Sequence, residues 1–219
     1  MITKRLVGIA ASFALVSVLL IAGCATTTGS DRSAAASVTM AQVEDDIRLL
    51  VMELTATNSA LASLVNPLQS DLTTAYGVFS DGHAGLEKAS DQFVVRSDQM
   101  GTEGREYFNE WRIQGNKYEN PQIQALSEQR RSELSEVYAQ IADSSVGIQG
   151  ELKQYVSNVK EVKTYFSTDL TARGVTAMSP FANRTIIDGF NLSVKLDNLL
   201  KSVAEVRAEL SPGDTVAVK

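Results

Sequence analysis

The sequence predicts an all-α protein, an elongated antiparallel helical bundle or coiled coil, and two observations carry that expectation. Apolar residues recur at alternating spacings of four and three through most of the chain, which lays a stripe along one side of a helix. Clusters of turn formers break the pattern at a few points, and no stretch alternates apolar and polar residues for long enough to demand a strand.

Residues 1–23 have the order of a lipoprotein signal peptide. Lys4 and Arg5 precede an apolar stretch over residues 6–21, and no acidic residue occurs before Asp31. The stretch is shorter than the roughly 20 residues that a helix needs to cross a hydrocarbon core, so it reads as a cleaved leader rather than a permanent span. It closes with Leu20-Ile21-Ala22-Gly23-Cys24. Aliphatic, small, small, cysteine resembles the lipobox of bacterial lipoproteins, in which small residues let a peptidase bind extended backbone beside the lipidated thiol. Cys24, the only cysteine, is therefore expected to become the acylated N-terminus. Each buried methylene contributes about 0.8 kcal/mol, and two or more chains give stable anchoring where one is marginal. Ala25 follows the cysteine where aspartate would retain a lipoprotein in the inner membrane. The periplasmic face of the outer membrane is thus the expected location.

Removing residues 1–23 leaves 18 basic against 26 acidic side chains, a formal charge of about −8. Such a surface repels nucleic acid and anionic lipid. With Cys24 acylated, no thiol remains for a disulfide or a metal site.

Residues 24–37 hold Ala, Thr, Ser, Gly and one charged pair, and read as a flexible tether. Thirteen coil residues would span roughly 20 Å, enough to clear lipid headgroups. The bundle domain is expected over residues 38–212, with a loose tail over residues 213–219.

A first helix is predicted over residues 40–65, with Val43, Ile47, Leu50, Leu54, Thr57, Leu61 and Leu64 on one seam. Pro67 lacks a backbone donor and biases Asn66 away from helical geometry. Both outcomes stay open there: a true turn gives a compact four-helix bundle, and a kink gives one long hairpin. The second helix, with Ser70 as N-cap, carries Phe79, His83, Leu86, Phe93, Met100, Gly104, Tyr107 and Trp111 on its seam. Small and polar members dilute it, and Gly82, Gly85, Gly101 and Gly104 predict local kinks.

Residues 115–121, Gly-Asn-Lys-Tyr-Glu-Asn-Pro, form the clearest reversal point. A third helix is expected over residues 122–172, its seam running through Leu134, Val137, Ile141, Ile148, Leu152, Tyr155, Val159, Val162 and Phe166. Ser144, Ser145 and Gly147 interrupt the spacing like a stutter. Gly174, Ser179 and Pro180 close this segment. The last helix is expected over residues 181–210, with Leu192, Leu196, Leu199, Val203, Val206 and Leu210 in register.

Chemistry-bearing motifs are sparse. His83 is the only histidine, and no Gly-x-Ser-x-Gly elbow accompanies it, so it reads as an interface histidine rather than a catalytic base. A helical metal site would need Glu-x-x-His pairs, and Ser80 stands where the glutamate would be. Glu44-Asp45-Asp46 is expected in the first turns of its helix, favouring the positive end of the dipole, and lacks a calcium loop. Tyr107, Phe108 and Trp111 read as a plug at a bundle end. Gly82-His83-Ala84-Gly85 follows no strand and precedes no Lys-Ser/Thr, so it makes no phosphate loop. No cofactor, metal or nucleic acid is expected.

Tyr107-Phe108-Asn109-Glu110-Trp111, Tyr118-Glu119-Asn120 with Ser127, and residues 159–172 carry a resemblance to the proteobacterial lipoprotein family known as domain of unknown function 2959. The likeness runs over residues 43–210. Members look like a lipobox followed by coiled-coil helices, so the resemblance implies that architecture and supplies no catalytic residues. The chain departs from it in having fewer helix charges and extra glycines near His83. The combined expectation is a non-enzymatic, lipid-anchored envelope spacer or scaffold that binds another envelope protein through a helix face. The alternative is a ligand-binding or sensing bundle in the periplasm, with a pocket opened by the glycines around His83.

Overall fold

The structure, a computed structural model, describes residues 29–211. Four long helices fill that span: α1 (Gly29–Leu64), α2 (Leu72–Gly115), α3 (Pro121–Thr168) and α4 (Ala172–Leu210). The described residues contain no strand. The protein is an all-α bundle. Each helix packs on its two sequence neighbours in a closed ring, with α1 returning to α4 and neither diagonal pair in close backbone contact. Neighbouring helices run antiparallel. Helices of 36 to 48 residues make a rod roughly 54–72 Å long at about 1.5 Å per residue.

The seams explain the ring. Buried positions on α1 follow Ala36, Met40, Val43, Ile47, Leu50, Leu54, Thr57, Leu61 and Leu64 without a break in the four-three rhythm. On α4 the rhythm runs from Ala182 and Thr185 through Gly189, Leu192 and Leu196 to Leu210. A repeat of seven is shorter than two ideal helical turns, so seams of this kind keep facing one another only if the helices wind gently around each other.

At Pro67 the turn prevails over the kink. Gln69 donates its backbone N–H to the Asn66 carbonyl, and α2 folds back along α1. The cap of α2 is Asp71 rather than the expected Ser70. Its carboxylate accepts from Thr74 N at 3.0 Å, and that bond holds the Asp71 carboxyl below its ordinary pKa.

Several boundaries differ from the sequence expectation. Residues 29–37, expected as tether, are the opening turns of α1. Alanine has the highest helix propensity, and these turns gain packing: Ala36 is buried, and the hydroxyls of Ser33 and Ser37 bond to the Leu210 carbonyl and the Ser211 hydroxyl. The remainder of the expected tether, residues 24–28, lies outside the described residues, as do Cys24 itself, the signal peptide and the tail over residues 213–219.

α3 starts with Pro121 at its first position and Asn120 as cap, one residue before the expected start. It ends at Thr168, not near residue 172, and Pro180 does not close it. Thr171 caps α4 by accepting from Gly174 N at 3.0 Å, and Pro180 sits inside that helix. An interior proline costs about 3 kcal/mol. Burial of Gly174, Val175 and Ala182 on both sides of it ties the first turns of α4 to the bundle and offsets that cost.

The expected stutter in α3 is absent. The seam reads Leu134, Tyr138, Ile141, Ser145, Ile148, Leu152, with Ser145 as a regular member that donates its hydroxyl to the Ile141 carbonyl. Val137, expected on the seam, is 45% exposed, and Tyr138 takes the buried place. The cause lies on α2. A Cβ at Gly104 would stand 2.0 Å from the Tyr138 ring, so only glycine leaves room for that side chain, whose hydroxyl donates to the Met100 carbonyl at 2.6 Å.

Candidate functional site

His83 occupies its seam position in the bundle core at 3% exposure, and its Nε2 has no hydrogen-bond partner. Burial lowers its pKa, with Lys163 and Lys160 acting in the same direction and Glu87 opposing them. The neutral imidazole is thus the form that the core accepts. α2 runs unbroken past the glycines beside it, and side chains of α1 cover both of them. Thr57 of α1 lies over Gly82 and the Glu53 carboxylate over Gly85, so both glycines serve close approach of α1 to α2.

Glu44, Asp45 and Asp46 do not sit in the first turns of their helix, because α1 begins at Gly29. Their place is mid-helix. Glu44, buried, bonds Arg207 of α4 and Arg48 of its own helix, while Asp46, also buried, accepts from Gln92 and Arg96 of α2. Two adjacent faces of α1 are thereby tied to different neighbours. Among the described residues, no group of three or more His, Cys, Asp or Glu is placed to hold a metal ion.

The aromatic group closes the bundle end next to the 116–120 turn, as expected, with one exchange. Phe108 is the buried ring, and Tyr107 and Trp111 pack half-buried against it. Phe108 meets Tyr138 edge-on at 5.5 Å, and Trp111 Nε1 donates to Ser127 Oγ at 3.0 Å. Burial raises the Tyr107 pKa, against a hydrogen bond with Ser33 and the nearby Arg130 and Arg32.

A further polar relay went unread in the sequence. Tyr155 on α3 donates its hydroxyl to Asn58 Oδ1 on α1 at 2.7 Å, and Asn58 Nδ2 donates to the Ile186 carbonyl on α4 at 3.1 Å. Gly189 makes room for both side chains. Nothing in local spacing marks Asn58, because it lies one position off the seam residue Thr57.

Two open grooves flank the middle of α3, and smaller hollows lie beside the turns at residues 65–71 and 116–120. Between α3 and α4 a groove of about 410 Å³ is lined by Gln140, Ser144, Asn198 and Ser202 over an apolar floor that includes Ile148 and Leu199. The Lys195–Glu151 ion pair stands at its end and separates it from a second hollow toward Tyr155 and Asn191. Between α2 and α3 a larger groove of about 720 Å³ exposes Val94, Val95, Val146 and Val156, flanked by Asp91 and Lys153. Gly147 and Gly150 line these grooves, and nothing occupies the space where their side chains would be. Of the residues that looked like a seam interruption, Ser144 and Gly147 face outward into the groove beside α4, while Ser145 stays buried on the seam.

Among the described residues no helix is long and apolar enough to cross a membrane. No protein-family model, no curated protein and no solved structure matches this chain.

Proposed function

We propose that this chain is a non-enzymatic, lipid-anchored protein of the cell envelope, processed after residue 23 and acylated on Cys24. On this reading it stands on the periplasmic face of the outer membrane as a helical spacer or scaffold. Its four-helix bundle is in keeping with the coiled-coil helices that the resemblance to the lipoprotein family 2959 implies. A bundle roughly 54–72 Å long carries bound partners well clear of lipid headgroups.

The observation that carries the partner-binding part is the position of α3. It is flanked by open grooves of about 410 and 720 Å³, whereas the hollow beside α1, near the turn at residues 65–71, is only about 210 Å³. The groove between α3 and α4 takes the envelope partner: its rim of amides and hydroxyls over an apolar floor suits a protein segment laid along the helices. A photo-crosslinking residue at Val137 or Ser202 in intact cells should yield an adduct with another envelope protein, and the same residue at exposed Met52 on α1 should not. Absence of any adduct from the α3/α4 groove would remove the partner-binding reading.

A second reading is supported by the size of the same groove, which falls within the roughly 300–1,000 Å³ of small-molecule sites. A periplasmic ligand-binding or sensing bundle would be stabilised by its ligand as RT ln(1 + [L]/Kd). A thermal-shift screen of cell-wall fragments, lipids and metabolites therefore separates the two, since a scaffold shows no shift.

A further inference from the structure

We infer that the face formed by α2 and α3 is an interface with a second copy of this chain, the two copies related by a two-fold axis that runs parallel to the helices. This inference is separate from the envelope partner assigned to α3 and α4, but its choice of axis agrees with the anchored reading above.

The face has the composition of a two-chain contact. Val95 and Val146 are 69% and 63% exposed, and with the half-buried Val94 and Val156 they make an apolar strip along the groove. Charges flank it unevenly. Glu87 and Asp91 lie on the α2 side and Lys153 on the α3 side, and none of the three enters an ion pair within the described residues.

Their heights along the rod are fixed by contacts between the two helices. Tyr76 bonds the Lys163 carbonyl near one end and Trp111 bonds Ser127 near the other. Counting between these rungs puts Lys153 opposite residues 85–86, about 2 Å along the rod from Glu87 and about 8 Å from Asp91, within reach of a lysine side chain.

Symmetry then selects one arrangement. A two-fold axis parallel to the helices sets α2 of one copy opposite α3 of the other at unchanged height, so Lys153 of each copy faces Glu87 and Asp91 of its mate. An axis across the helices sets α2 against α2, and acids would face acids. Charge complementarity thus favours the parallel axis. The same axis leaves both α1 N-termini at one end of the pair, which lets two anchored chains share one membrane. The area suffices as well: two helices side by side are about 20 Å wide, and over the length of the rod they exceed the roughly 800 Å² per partner of a stable interface.

The test uses the full-length chain in mild detergent, followed by sedimentation velocity at about 50 µM, together with two charge variants. Lys153→Glu makes the charges lining the groove of each copy all acidic, and the double variant Glu87→Lys, Asp91→Lys makes them all basic. The expected result is a dimeric wild type, with each variant alone weakened at least about tenfold in Kd, a change of about 1.4 kcal/mol. Mixing the two variants should restore the dimer, because every facing pair is again opposite in charge. All of these positions are exposed, and unchanged helical circular dichroism confirms folding. A monomeric wild type, variants that dimerise like wild type, or a mixture that stays monomeric would each overturn the inference. The crosslinks from Val137 are read independently, so loss of the dimer with those adducts retained leaves the envelope-partner reading standing.

Discussion

Tyr155 and Asn58 join diagonal helices of the bundle: the phenol on α3 reaches across to the amide on α1 at 2.7 Å, although these two helices have no close backbone contact. The amide hands the link on to the Ile186 carbonyl of α4. Three helices are thus fixed in height relative to one another by polar groups that a slip of one residue would leave unsatisfied. Tyr155→Phe should cost about 1 kcal/mol, the usual net worth of a hydrogen bond. Gly189→Ala should cost more, about 2 kcal/mol, because its Cβ would meet Asn58 at 2.4 Å and Tyr155 at 2.7 Å. Urea unfolding midpoints of the two variants check the order.

The same logic applies where Tyr138 covers Gly104. Gly104→Ala should destabilise the protein by about 2–3 kcal/mol, despite the better helix propensity of alanine, because the ring has to leave its place. Combining it with Tyr138→Leu should recover part of the loss. A double-mutant cycle that adds up to independent effects would show that the two positions are not in contact.

His83 gives a pH dependence whose sign follows from its lowered pKa. The unfolded chain binds a proton on this ring as pH falls through its ordinary value of 6.5, and the folded chain resists until a lower pH. Its contribution to stability is therefore complete above that value and is lost as pH falls toward the folded pKa. Thermal midpoints of wild type should drop between about pH 7 and 5 more than those of His83→Leu. At pH 7 the leucine variant should match or exceed wild type by about 1 kcal/mol, since it removes a buried nitrogen that has no partner.

At Glu44 the two sides of the ion pair differ. Arg207→Met removes one of two partners from a buried carboxylate and should cost about 1–2 kcal/mol, discounted because Arg207 is itself partly exposed. Glu44→Leu removes the buried charge, frees Arg207 to solvent and leaves Arg48 paired with Asp45, and should be milder. Guanidinium unfolding is unsuitable here because it screens the pair, so urea at low salt is the measurement.

Anchoring has its own expected outcome. Cys24→Ser should move the protein from the membrane to the aqueous fraction on cell fractionation, and mass spectrometry of the wild-type N-terminal peptide should carry the mass of diacylglycerol and acyl additions. An unmodified N-terminal peptide would remove the anchored part of the proposed function.

Much of the bundle was legible because a buried seam leaves a periodic trace. The seven seam residues from Val43 to Leu64 and the six from Leu192 to Leu210 are buried where the spacing put them, and the reversal at residues 115–121 joins two helices as expected. Burial of one face needs apolar side chains at regular intervals, and regular intervals can be counted in a sequence.

What the sequence could not contain was the outcome of competition between neighbouring helices. Val137 and Tyr138 are adjacent and both suit a core. Gly104, more than thirty residues away, decided which of them turned inward. Pro180 and residues 29–37 looked like a helix stop and a tether, and packing against the rest of the bundle outweighed their local preferences. The sequence by itself determined the all-α class, the reversal at residues 115–121 and most of the core stripe, since those depend on side-chain spacing and turn formers within short stretches of chain. The tertiary structure decided the turn at Pro67, the polar relay through Asn58 and the grooves beside α3, since each depends on which surfaces meet once the helices are brought together.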